Sequence, residues 1–352
     1  MILSINDRKL IRILLSKSNH RNSLQKLFNH VNNFATLPAI DDFNLVSESQ
    51  LDFLLKKLDQ ESAEVLTILS NKYPVLLKQI FDPPGMLFCK GNLKLLGKAK
   101  ISIIGGRNSS YSDLNFIKEV AMFLANNNLI IVSGLANGVD TSAHFGAGAD
   151  NTIAVIASGL DICYPKQNYR LFEEIKAKGL VISENDFGCP PLAKLFPRRN
   201  RIIVGLSNVI IASNVKMKSG SMITCRLVVE NNRDLIVVPG SPFDMRHVGS
   251  NKLIADGANI FTNFDDLGEF LNNIYNTEFN GEIKTEEEKH VNKNLERKNK
   301  TLLNLIPANG INMEDLMINL KVSQAEFLEV ISELEMLGYI VIDHCQKVFL
   351  TS

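Results

Sequence analysis

The chain has 352 residues, 45% apolar and 22% charged, with 38 basic and 38 acidic side chains that leave no formal net charge. That length exceeds one ordinary core, so two or three domains are expected, and the composition is that of a soluble globular protein. Asp7, Arg8, Lys9 and Arg12 break up any N-terminal apolar run before it reaches signal-peptide length, and no stretch approaches a membrane span. Five cysteines scattered without a C-x-x-C pair fit reduced thiols in a cytoplasmic protein, and with six dispersed histidines no metal or cofactor site is expected.

Residues 1–80 read as a small helical, SAM-like domain. Leu10, Ile11, Leu14 and Leu15 carry helical spacing, as do Leu51, Leu54, Leu55 and Leu58 after the caps Ser47 and Ser49. Asp82-Pro83-Pro84-Gly85 forbids helix continuation and marks the end of this domain. Residues 81–275 change texture. Short β-branched runs at 101–104, 129–132, 152–157, 180–183, 209–212 and 235–238 alternate with helix-length segments, which predicts an α/β, doubly wound, Rossmann-like parallel sheet. Residues 276–298 are polar and charged and read as a linker. Over 299–352, helical patterns at 302–306, 313–320 and 327–337 precede two short β-runs, which describes a winged helix. Its last helix carries Glu326, Glu329, Glu333 and Glu335 without Lys or Arg, so it is expected to meet protein or regulate the core and not to read DNA.

Between Phe187 and Val229 the cations Lys194, Arg198, Arg199, Arg201, Lys216, Lys218 and Arg226 occur without one Asp or Glu, and a polyanion is the natural partner. In a doubly wound sheet, ligands bind beyond the carboxyl ends of the strands, where this chain places Gly105-Gly106-Arg107, Ser133-Gly134, Ser158-Gly159 and Pro239-Gly240-Ser241. Glycine allows close approach to phosphate, and helix N-termini favour anions. Neither G-x-G-x-x-G nor G-x-x-x-x-G-K-[ST] is present, which excludes a dinucleotide fingerprint and a P-loop. Asp140 and His144 stand four apart on a helix without a third ligand, so Asp140 is expected to cap the helix and His144 to serve structure. Glu184 is expected to orient the arginine run.

Taken in order, Ile103-Ile104-Gly105-Gly106-Arg107, Val132-Ser133-Gly134-Leu135-Ala136 with Gly138-Val139-Asp140 and Ala143-His144, Gly159-Leu160-Asp161 with Tyr164-Pro165, Phe196-Pro197-Arg198-Arg199-Asn200-Arg201, Ser219-Gly220-Ser221 with Thr224, and Val238-Pro239-Gly240 resemble the DNA-processing protein A family, also called Smf. The resemblance implies a non-enzymatic protein that binds single-stranded DNA, dimerises through its Rossmann-like core and helps load the RecA recombinase during natural transformation or recombination. By motif it places Arg107, Ser133, Gly134, the run Phe196, Arg198, Arg199, Asn200 and Arg201, and Ser219, Gly220 and Ser221 on the strand. Lys166 and Lys218 are added from their loops as further cations. Phe196 either stacks a base or packs beneath its helix, and Arg199 either holds phosphate or forms an internal salt bridge. Asn137 and Ile211-Ala212-Ser213 depart from the family pattern. Two other functions remain open: a phosphoribohydrolase-like nucleotide-processing enzyme, which lacks its glutamate after Ser219-Gly220-Ser221-Met222-Ile223-Thr224, and a small-ligand sensor.

Overall fold

The computed structural model describes residues 3–16, 43–275, 302–303, 305–307, 310–320, 324–336, 339–343 and 347–350. The chain divides into two compact units, Met1–Gly281 and Glu282–Ser352. In the first unit the six expected apolar runs are strands: β3 (Lys100–Gly105), β4 (Ile130–Ser133), β5 (Thr152–Ile156), β6 (Leu180–Ser183), β7 (Val209–Ser213) and β8 (Asp234–Val237). They pair in parallel, and β9 (Asn259–Ile260) joins β8 in the same sense.

The expectation of helices alone over residues 1–80 is corrected by the structure. Helices α1 (Ile5–Leu15) and α2 (Glu48–Gln60) form, each opened by a serine capping box, but β1 (Ala63–Thr67) follows them. It runs antiparallel to β2 (Met86–Gly91), which is itself antiparallel to β6, giving the nine-stranded order β1-β2-β6-β5-β4-β3-β7-β8-β9. The short helix α3 (Val75–Lys78) lies between β1 and β2. Asp82-Pro83-Pro84-Gly85 therefore leads into a strand and does not close a domain: the Ile68 N–H donates to the Gly85 carbonyl at 2.9 Å. A five-residue strand is too short for periodicity to separate it from a helix.

Helices α4 (Tyr111–Asn126), α5 (Val139–Ala147), α6 (Tyr169–Lys178), α7 (Leu195–Gly205), α8 (Gly220–Glu230), α9 (Val248–Ala255) and α10 (Phe264–Tyr275) cover the sheet. Strand alternation sends Ile153 and Val155 into one core with Ile104, Val132 and Ile210, and Ala154 and Ile156 into another with Phe172 and Ile175. From α1, Leu10 enters the first core and Ile11 the second, so this helix is part of the sheet's own packing.

In the second unit, β10 (Ile311–Asn312), β11 (Ile340–Ile342) and β12 (Lys347–Leu350) form an antiparallel sheet in the order β10-β12-β11. Helices α11 (Met313–Leu320) and α12 (Gln324–Met336) accompany it, and Leu316, Phe327, Ile331, Leu334, Ile340 and Val348 supply the core. The helices expected over 313–320 and 327–337 and the hairpin are present, with β10 in addition, whereas the helical pattern expected at 302–306 falls partly outside the described residues. The linker expected over 276–298 lies outside the described residues.

Candidate nucleic-acid interface

Strand β3 sits between β4 and β7, so the strand order reverses there and the loops leaving β3 and β7 diverge, the topology that opens a crevice in doubly wound sheets. A pocket of about 440 Å³ occupies that crevice. Gly105, Gly106, Arg107 and Asn108 line it after β3, Asn214 and Lys216 after β7. Phe196, Pro197, Arg199 and Asn200 come from α7, and Ser219, Gly220, Ser221 and Thr224 from the start of α8. Gly105 is required where the two strands end together, because a Cβ there would lie 2.3 Å from the Ser213 carbonyl oxygen.

The Ser219 hydroxyl caps α8 by accepting from the Met222 N–H at 3.2 Å, and the Asn200 amide donates to Thr224 Oγ1 at 2.7 Å, tying α7 to α8. The first N–H groups of this eleven-residue helix and the positive end of its dipole open at the pocket wall. Arg107 and Lys216 are exposed cations beside it with no carboxylate partner among the described residues. The Arg107 guanidinium lies 5.4 Å from the centroid of the half-buried Phe196 ring, which meets Tyr164 edge-on at 5.6 Å. Phe196 thus belongs to a cation–aromatic stack at the pocket mouth, packed in part against Tyr164.

The arginine run splits in two. Arg198 is exposed, its guanidinium 3.6 Å from Glu184. Arg201 is buried and neutralised, Nη2 lying 2.5 Å from Glu184 Oε1 and Nε 3.4 Å from Asp82 Oδ2. Arg201, expected on the strand, is thus committed to partners within the protein, and Glu184 pairs with both arginines. Arg199 is buried on the pocket floor with Nη1 donating to the Val155 carbonyl at 2.7 Å. Burial lowers its pKa to about 10, against the pull of Asp140, so it stays charged at neutral pH.

Ser133 and Gly134, expected on the strand, are likewise engaged within the protein. Ser133 is fully buried and donates to the Ile103 carbonyl at 2.6 Å, locking β4 to β3. Gly134 N–H donates inward to Asp140 Oδ2 at 3.2 Å, and a Cβ at this position would fall 1.8 Å from Arg199 Nη1. Asp140 does not cap α5, whose N-cap is Gly138; its buried carboxylate accepts from Gly134 and Ala136 N–H, and burial raises its pKa despite Arg199. His144 serves structure as expected: Nδ1 lies 2.7 Å from Thr152 Oγ1, and burial lowers its pKa to about 3. Lys166 and Lys218 are exposed but do not line the pocket.

Sequence reading missed the groups that fasten the far wall. Asn214, held in the left-handed region at φ 52°, donates to Asp113 Oδ2 at 2.8 Å and lies 3.1 Å from His247 Nε2. Asp113, Asp244 and His247 offer ligand atoms within 4.8 Å of one another. These donors are engaged within the protein: Asp113 closes the α4 capping box with Ser110, and Arg246 grips both oxygens of Asp244 at 2.6–2.9 Å. Burial, which would raise the Asp113 pKa, is outweighed by hydrogen bonds from Ser110 and Asn214, while the Arg246 hydrogen bonds hold Asp244 at about 2. The cluster is a clasp between the start of α4 and the loop before α9. Their sequence separation left no local motif from which to find it.

The model of the family described as DNA recombination-mediator protein A matches residues 64–272. DNA processing protein DprA of Streptococcus pneumoniae is 45% identical over 207 residues, covering 58% of this chain and 73% of that protein. Its Bacillus subtilis counterpart is 36% identical over 225 residues, covering 63% and 76%. The X-ray structure of the S. pneumoniae protein aligns with a TM-score of 0.60 at 36% identity, covering 74% of this chain and 92% of that one. The Helicobacter pylori DNA processing protein A, described for its single-stranded DNA binding mode, aligns with a TM-score of 0.56 at 33% identity over 61% and 96%. No helix among the described residues is long and apolar enough to cross a membrane. The chain therefore belongs to the DNA recombination-mediator protein A family, the DprA/Smf proteins.

Proposed function

We propose that this protein binds single-stranded DNA in the pocket at the β3–β7 switch point. The observation that carries the reading is Arg107 laid over Phe196 at the mouth of a pocket whose other wall offers Lys216 and the α8 N-terminus. A phosphate can take the guanidinium and helix N–H groups while an unstacked base meets the aromatic pair. The similarity to the H. pylori protein supports it. The proposed contacts are Arg107, Phe196, Asn200, Lys216, Ser219, Gly220 and Ser221, with Arg198, Lys166 and Lys218 guiding the strand from outside and Arg199 supplying fixed charge from beneath. Loading of RecA, action in natural transformation, dimerisation through the core and a cytoplasmic location extend the same reading from the family resemblance. The second unit, as a winged helix, regulates the core or contacts protein.

Nucleotide hydrolysis is disfavoured, because the acid among the pocket-lining residues is Asp140, which is buried and committed to two loop N–H groups. Fluorescence anisotropy with labelled oligothymidylate tests the proposal. Arg107→Ala should weaken single-strand binding about tenfold, equally for all sequences, because it removes a phosphate contact and not base readout. Unchanged affinity, or equal affinity of the parent protein for duplex DNA, would refute it.

A further inference from the structure

We infer that a single strand leaving the pocket continues over a second, apolar shelf made by Phe243, Met245 and Tyr111, on which its bases stack. This extends the single-strand reading and rests on it. Phe243 and Met245, on the loop between β8 and α9, are 95% and 73% exposed, and Tyr111 at the start of α4 is 87% exposed. Large apolar groups on a slack loop could fold back onto the surface, but this loop is held. The Asp244 N–H donates to the Ser241 carbonyl and the His247 N–H to the Asp244 carbonyl, at 3.0 and 2.9 Å. Arg246 clamps Asp244, and Gly240 exchanges two hydrogen bonds with the Asn251 side chain at 3.2 and 2.9 Å. Phe243 and Met245 are therefore presented to solvent by a preformed scaffold, the arrangement that loses least entropy when a partner lands.

The loop that carries Phe243 and Met245 and the helix start that carries Tyr111 are both tied to the pocket through Asn214. That pocket-lining residue bonds Asp113, two residues beyond Tyr111, and meets His247, four beyond Phe243. Ser250 adds a reciprocal pair with Val215, the Val215 N–H donating to Ser250 Oγ and the Ser250 N–H to the Val215 carbonyl, each at 3.0 Å. The pocket's volume lies near the lower end of the range for small-ligand sites, so a longer strand has to run on outside it. The two carboxylates of the clasp are engaged by protein donors, and the exposed cations lining the pocket beside it are Arg107 and Lys216. Apolar faces next to uncompensated cations fit a polyanion that carries flat bases.

The chain contains no tryptophan, so Phe243→Trp introduces a single reporter on a side chain whose exposure makes folding insensitive to the change. Emission should be quenched by oligothymidylate of about 16 nucleotides, and Phe243→Ala should lose roughly tenfold in affinity for that strand with little change for one of about 4. Equal affinity of Phe243→Ala and the parent for the long strand, while Arg107→Ala still weakens both, would overturn the shelf and leave the pocket standing. Absence of binding by the parent protein would sink both readings. An emission shift that follows protein concentration without DNA would assign the shelf to a second copy and overturn its base-stacking role.

Discussion

Gly134→Ala tests whether the pocket floor is built around a fixed, buried guanidinium. The added methyl would stand 1.8 Å from Arg199 Nη1, 2.5 Å from its Cζ and 2.7 Å from Asp140 Oδ2, distances that no packed carbon tolerates. Arg199 cannot yield without loss, since Nη1 is bonded to the Val155 carbonyl and the side chain is enclosed. Overpacking costs about 1–3 kcal/mol. Losing a charged hydrogen bond inside the protein adds about 1.5–3 kcal/mol, so a destabilisation of about 3–5 kcal/mol is expected, a large share of a typical domain's stability. Urea unfolding followed by circular dichroism measures it, with Gly97→Ala as control because a Cβ there meets nothing within 4 Å. A difference between the two variants below about 0.5 kcal/mol would show that Arg199 is not locked.

Arg201→Ala should destabilise by about 3 kcal/mol in the same urea assay, because Glu184 loses its buried partner and keeps only the exposed Arg198 at 3.6 Å, whereas Arg198→Ala should change stability by less than about 1 kcal/mol. His144 is held neutral with a folded pKa of about 3, below its unfolded value, so the unfolded state takes up the proton first as pH falls. Stability should decline from about pH 6.5 towards 3 by up to about 1.4 kcal/mol per pH unit more than in His144→Gln, and parallel curves would refute this. For an oligonucleotide short enough to fill the pocket alone, Arg107 and Lys216 imply a slope of log affinity against log salt of about −1 to −2, and one steeper than about −4 would require a different cation set.

The parallel sheet was legible because runs such as 152–157 and 209–212 are buried on both faces and read as continuous β-branched stretches. The antiparallel edge was not, because Ala63–Thr67 offers five residues and Pro83-Pro84 resembles a boundary more than the approach to a strand. At the site, the Gly105-Gly106-Arg107 loop followed from its glycines and its place after an apolar β-run, while the loop after β7 did not. The fates of Arg198, Arg199 and Arg201 did not follow, since helical spacing gives direction around an axis and not what lies there: Glu184 and Asp82 reach Arg201 from segments 17 and 119 residues away. Ser133 and Gly134 carry a motif that serves packing, with the hydroxyl locking two strands and the missing side chain making room for Arg199.

That division of the arginines has a physical purpose in the proposed binding site. A buried guanidinium is expensive to desolvate, yet here it keeps its charge near neutral pH, and its position is set by Val155, Gly134 and the pull of Asp140. Such a charge contributes potential to the pocket without ordering a side chain when ligand arrives, whereas Arg107 and Lys216 supply adaptable contacts at the mouth. Under the same proposal the recess would also select strand type. Phe196 lines the pocket half-buried against Tyr164 and under Arg107, so a base would reach its ring only by leaving its stack, a step that costs a duplex a few kcal/mol and a single strand much less. Under the proposed function, a preference for single strands would then arise from the half-buried stacking face and preorganisation, with charge setting affinity for either form.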